Sequence, residues 1–116
     1  MHYLINTTIS AKIRMQAMFG TVLGSLHIST DISQRAQIIT GLIVKLESLE
    51  LLLPAGRGKH RLYLERGKPD AINALVAIFN QQASAAQIDA KMAEKILDDF
   101  LAILVRYNLA DEVEEG

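Results

Sequence analysis

The 116-residue chain contains no cysteine and no tryptophan, and it has only two prolines, three tyrosines and three phenylalanines. The missing thiols exclude a disulfide framework, a thiolate metal site and a cysteine nucleophile. Histidine is scarce as well: His2, His27 and His60 stand far apart, with no HExxH, HxH or comparable ligand spacing among them. No apolar run approaches the roughly 18 residues of a membrane span. The first ten residues, MHYLINTTIS, lack the basic start and continuous apolar stretch of a secretory signal. A soluble, cytoplasmic protein without membrane contact is expected.

Catalytic patterns are absent too. The serines carry neither a GxSxG elbow nor an SxxK pair. Glu94 and Asp98 lie four apart, but a di-metal bundle needs further inward carboxylates and Glu-x-x-His pairs, and no Glu-x-x-His occurs. They read as a solvated helix face. No catalytic, cofactor-binding or metal-binding residue is assigned, and a non-enzyme without cofactor is expected.

Half of the residues are apolar, which is rich for a small soluble domain and favours a protein partner or a homodimer that hides part of the surface. The net charge of −1 conceals a polarity. Residues 1–68 hold nine Lys and Arg against four Asp and Glu, whereas residues 69–116 hold three against nine. Such asymmetry marks either an interaction surface or two solvated faces of opposite sign.

Apolar periodicity predicts four helices in one domain spanning residues 1–116. The first covers about Thr8 to His27, with Gly20 and Gly24 one turn apart, marking either a close helix crossing, the favoured reading, or a break in the helix. The second starts from a capping box of Asp31 and Gln34 and reaches about Leu51. Lys68-Pro69-Asp70 opens the third, because proline suits the first helical turn and an acid there suits the helix dipole. Ser84 and Gln87 are read as the capping box of the fourth, whose stripe runs Ile88, Met92, Ile96, Phe100, Ile103, Tyr107. Residues 110–116 read as an acidic, frayed tail. The fold class expected is mainly α: a four-helix single domain with a short β-hairpin, or an ordered basic loop, between helices 2 and 3.

That loop, PAGRGKHRLYLERGKP from Pro54 to Pro69, concentrates glycine and positive charge. A phosphate-binding P-loop requires GxxxxGK followed by Ser or Thr and then a helix. Here His60 follows Gly58-Lys59, and the alternating Arg61-Leu62-Tyr63-Leu64-Glu65 predicts a strand. What remains is a basic projection whose Arg57, Lys59, His60, Arg61, Arg66 and Lys68 are candidate contacts to a partner or to nucleic acid.

The order of an apolar helix, LELLLPAGRGKHRLYLERG and a further helix resembles the recognition-helix, wing, helix order of small dimeric winged-helix repressors over about residues 33–79. The resemblance implies DNA binding, with residues 54–69 as the wing, with Gln34, Arg35, Gln37 and Thr40 facing bases, and with the terminal helices dimerising. The leading reading is different: a non-enzymatic helical interaction module, an adaptor, chaperone-like or regulatory subunit. It would take its partner on the basic hairpin and on the apolar helix faces of Met15, Met18, Phe19, Phe100, Leu104 and Tyr107, methionine being well suited to adaptable grooves.

Overall fold

The computed structural model describes residues 2–83 and 86–114. In chain order the elements are β1 (His2–Asn6), α1 (Ile9–Ser25), α2 (Ile32–Ser48), β2 (Leu52–Pro54), β3 (Lys59–Leu62), a 3-10 turn (Leu64–Arg66), α3 (Lys68–Gln82), α4 (Ala90–Arg106) and β4 (Ala110–Val113). The strands form one antiparallel sheet in the order β2-β3-β1-β4. The expected mainly α class with a lone hairpin is therefore corrected to a mixed fold, four helices and a four-stranded sheet. Two strands account for the difference. β1 lies ahead of the first expected helix, where no element was expected, and β4 lies in the segment expected as a frayed tail.

Helix starts follow local chemistry. The Thr8 side chain accepts from Ala11 N at 3.3 Å to open α1. The Asp31–Gln34 capping box is present in both directions, Gln34 N to Asp31 Oδ1 at 2.7 Å and Asp31 N to Gln34 Oε1 at 2.9 Å. Pro69 occupies the first turn of α3, where its missing N–H removes no helical bond. The start of α4 departs from expectation. Ser84 lies outside the described residues, and the cap is Asp89, which accepts from Met92 N at 2.8 Å. Ile88 thus precedes the helix, with its N–H and C=O both held by the Asn80 side chain at 2.8 and 3.0 Å.

Three helices stop in the same way, and without glycine. After α1, α2 and α4 the residues His27, Glu50 and Asn108 turn left-handed, with φ of 60°, 58° and 61°. In each case the following N–H reaches back five residues: Ile28 to Leu23 O at 2.9 Å, Leu51 to Leu46 O at 3.0 Å, and Leu109 to Leu104 O at 2.9 Å. This is the Schellman reversal, which an apolar contact between the residues so joined frequently accompanies. Leu23, Leu46, Leu51, Leu104 and Leu109 are all buried. The burial of these leucines offsets the roughly 1–2 kcal/mol that a side chain pays in the left-handed region.

The strand–helix junctions place the sheet at one end of the antiparallel helices. The start of α1 and the ends of α2 and α4 adjoin strands, α3 starts after the 3-10 turn that follows β3, and the molecule is elongated at 42 × 28 × 22 Å. Cross-strand pairs show which face is buried. Ile5 opposes Ala110, Leu62 opposes Leu52, and all four belong to the single core. Side chains alternate along a strand, so His2, Leu4, Leu53, Lys59, Arg61, Asp111 and Val113 point to the opposite, outer face. Above the inner face the helices meet through residues such as Phe19 and Phe100, whose rings pack edge to face at 5.3 Å.

The two glycines of α1 do not mark a close crossing of backbones. A Cβ on Gly20 would meet the Arg35 side chain at 2.8 Å, whereas one on Gly24 would meet nothing within 4 Å. The helix runs through both without a break.

Glu50→Gly tests the helix stops. Glu50 is exposed and left-handed, so glycine relieves strain while removing no core contact. Allowing for glycine's greater freedom when unfolded, a net gain of about 0.5–1 kcal/mol is expected. It should appear in thermal denaturation as a rise of about 2–5 °C. An unchanged or lowered midpoint contradicts the assignment.

Candidate functional site: the outer face of the sheet

The basic stretch does not project from the molecule. β3 is an interior strand, paired with β2 on one side and with β1 on the other. Its glycine-tipped turn is pinned to the β1–α1 junction: Thr7 N donates to Gly58 O at 2.8 Å, and Thr7 Oγ1 is hydrogen-bonded to His60 Nδ1 at 2.6 Å. Gly58 has a φ of 71°, and a Cβ there would lie 2.7 Å from the Thr8 methyl. Only glycine fits both demands. The expected basic projection is replaced by a strand built into a sheet.

Register then sorts the six cationic candidates. Lys59 and Arg61 face outward, with exposed Arg57 in the turn before them. Beyond the strand, the Arg66 guanidinium lies over the Tyr63 ring, 3.8 Å from its centroid. The His2 ring approaches the same tyrosine at 5.0 Å and 35°. Arg61 Nη1 donates to His2 Nε2 at 2.9 Å, so a guanidinium, an imidazole, a phenol and a second guanidinium form a connected group. Among the described strand residues Asp111 is the one acid that the register puts on this face.

His60 and Lys68 go elsewhere. His60 sits on the inner side of β3, opposite Ile5. Lys68 bridges α3 to α4, with Nζ 3.3 Å from Glu94 and 3.2 Å from Asp98. Glu94 and Asp98 thus act as ion-pair partners on a partly exposed helix face, and Lys95–Asp99 at 3.3 Å is a further surface pair. Hydrogen bonding to Asp98 raises the Lys68 pKa, desolvation opposes that rise, and the bond to Glu94 adds to it. Nearby, burial and then the charges of Glu112 and Asp98 push the Tyr3 hydroxyl above its usual value, with Lys68 acting against them.

The residues expected to read bases are partly occupied. Gln34 serves the capping box and also donates to Gln82 O at 3.2 Å. Arg35 donates to Thr30 O at 2.7 Å and lies across Gly20. Gln37 and Thr40 are exposed, and Gln37 Nε2 donates to Ser33 Oγ at 3.3 Å.

The expected apolar interface is mostly interior. Met15, Phe19, Phe100 and Leu104 are buried members of the core, so a partner cannot reach them in this fold. Met18 is half-buried against that core. Tyr107 is exposed at 47%. The large apolar side chains that do reach solvent are others: Ile9 at 81%, Ile32 at 73%, Ile13 at 62% and Val44 at 61%.

Between sheet and helices lies an apolar gap of about 50 Å³, lined among others by Ile5, Met15, Leu42, Leu62 and Phe100. Ligand pockets run from roughly 300 Å³ upward, so this gap is a packing defect and not a ligand site. Among the described residues no cluster of His, Asp and Glu is placed to hold a metal ion, and no helix is long and apolar enough to cross a membrane.

No family model matches the chain, and neither a characterised protein nor a solved structure is significantly similar to it. The sheet face must be judged on its own chemistry.

The elevated Tyr3 and Lys68 pKa values have a common sign. Both groups keep their proton more firmly when folded, so their contribution is complete below the unfolded values, near 10, and is lost as pH rises through the folded ones. Urea midpoints should hold near neutrality and fall above about pH 10. Tyr3→Phe should fall less steeply than the wild type there. Parallel curves would show that Tyr3 is not the coupled group.

Proposed function

We propose that this chain is a non-enzymatic binding module that takes an anionic partner chain on the outer face of its sheet. The supporting observation is the row of Arg57, Lys59, Arg61 and Arg66 along β3 and its flanks. The helical core lies on the other side, and among the described strand residues Asp111 is the one acid on this face, with exposed Glu65 beside Arg66. Such a row attracts anions through its combined field, and clustered cations do so far better than scattered ones. The reading keeps the basic segment as the contact surface and abandons the buried helix residues.

Retention on immobilised heparin, a polyanion without sequence, tests this. The wild type should be retained and elute only with added salt. Arg57→Ala/Lys59→Ala, which removes two exposed side chains, should elute at clearly lower salt, and Lys91→Ala/Lys95→Ala on α4 should match the wild type. Equal elution of all three proteins defeats the reading.

Self-association is a second reading, supported by Ile9 and Ile13, which lie one turn apart on α1 and are 81% and 62% exposed. Burying two such side chains is worth roughly 1.5–3 kcal/mol each. A dimer mass in light scattering that falls to the monomer mass in Ile9→Ser/Ile13→Ser is the expected result. A monomeric wild type removes it.

A further inference from the structure

We infer that the anionic partner is a single strand of nucleic acid, held by its phosphates along β3 and by a base stacked on Arg66. The inference rests on the binding face proposed above and adds the class of its ligand. Two groups pack against the Tyr63 ring, the His2 imidazole with its centroid at 5.0 Å and the Arg66 guanidinium at 3.8 Å. Of the groups in this cluster Arg66 is the exposed one, and its guanidinium, a flat cation, lies over an aromatic ring.

A point charge attracts any anion, but a planar guanidinium presented face-on suits another planar π system. Single-stranded bases offer one, and Arg planes are among the surfaces on which unpaired bases stack. In a duplex the base faces are already stacked on one another. The row of charges also fits a strand in dimension. Lys59 and Arg61 are two residues apart on the same face, about 6.6 Å at the rise of a β-strand, and Arg57 is exposed in the turn just before them. An extended backbone running along β3 would meet Arg57, Lys59 and Arg61 and end with a base over Arg66. An acidic peptide satisfies the three cations but leaves the stacked platform unused.

Fluorescence anisotropy with a labelled deoxythymidine oligomer of about ten nucleotides, within the size range of single-strand sites, tests this. Arg66→Lys is the decisive variant, because it keeps the charge and loses the plane. It should bind the oligomer at least fivefold more weakly while heparin elution stays unchanged, and Tyr63→Leu should behave alike. A duplex of the same length and a polyglutamate of similar charge should bind more weakly than the single strand. The logarithm of affinity should fall with the logarithm of salt with a slope of about −2, for three phosphates on a single strand. Arg66→Lys binding as tightly as the wild type, or a duplex or polyglutamate binding as tightly as the oligomer, overturns the nucleic-acid assignment and leaves the polyanion face standing. Loss of heparin retention by the wild type itself removes both.

Discussion

The strand β1 is hydrogen-bonded along both edges, and most of what is distinctive in this molecule depends on that. On one side it meets the hairpin strand β3, from Tyr3–Leu62 to Asn6–Lys59; on the other it meets β4, from His2–Val113 to Ile5–Ala110. Two bonds beyond the regular ladder extend the grip, Asn6 N to Leu109 O and Thr7 N to Gly58 O, both at 2.8 Å. Three distant parts of the chain are thereby fixed in one plane. The connected group of His2, Arg61, Tyr63 and Arg66 exists only because β1 and β3 are neighbours.

The edges of the sheet are guarded by simple means. β2 is three residues long and ends in Pro54, which has no N–H to offer a further strand. β4 carries Asp111 and Glu112, whose charges oppose pairing with another chain. The same acids made residues 110–116 look like a solvated tail. Near the sheet, at the start of α3, Lys68 joins α3 to α4 through two carboxylates. All three side chains are substantially exposed, so the contact orients the helices more than it stabilises them.

Much of the helical framework was legible because helix signals are local. Asp31 and Gln34 close a capping box with their own backbone, and no distant residue is needed. The hairpin was visible in the alternation of Arg61, Leu62 and Tyr63. β1 and β4 were not, since five and four residues of mixed burial give periodicity too little length. In retrospect Asn6-Thr7-Thr8 marks a boundary: the Asn6 side chain accepts from Thr8 N at 3.1 Å, and Thr8 then caps α1. The sorting of cations was beyond sequence reading. Arg61 and Lys68 look alike in a list of charges, and only register sends one to the sheet face and the other to an ion pair. Burial of Phe19 and Phe100 likewise depends on which helix faces meet, information carried by tertiary packing alone.

The pairing of Ile5 with Ala110 also has a bearing on time. It closes a loop of roughly a hundred residues, against about six for Pro54 and His60 in the hairpin. With closure cost growing as the logarithm of loop length, the two differ as about 4 against 1.6 kcal/mol before constant terms. Helices and hairpin should therefore assemble first and the β1–β4 ladder last, so the folding rate is governed by the search of two distant segments for each other. Until that search ends, the edge of β1 that will receive β4 is an open template, and the acids of β4 arrive with the strand that covers it.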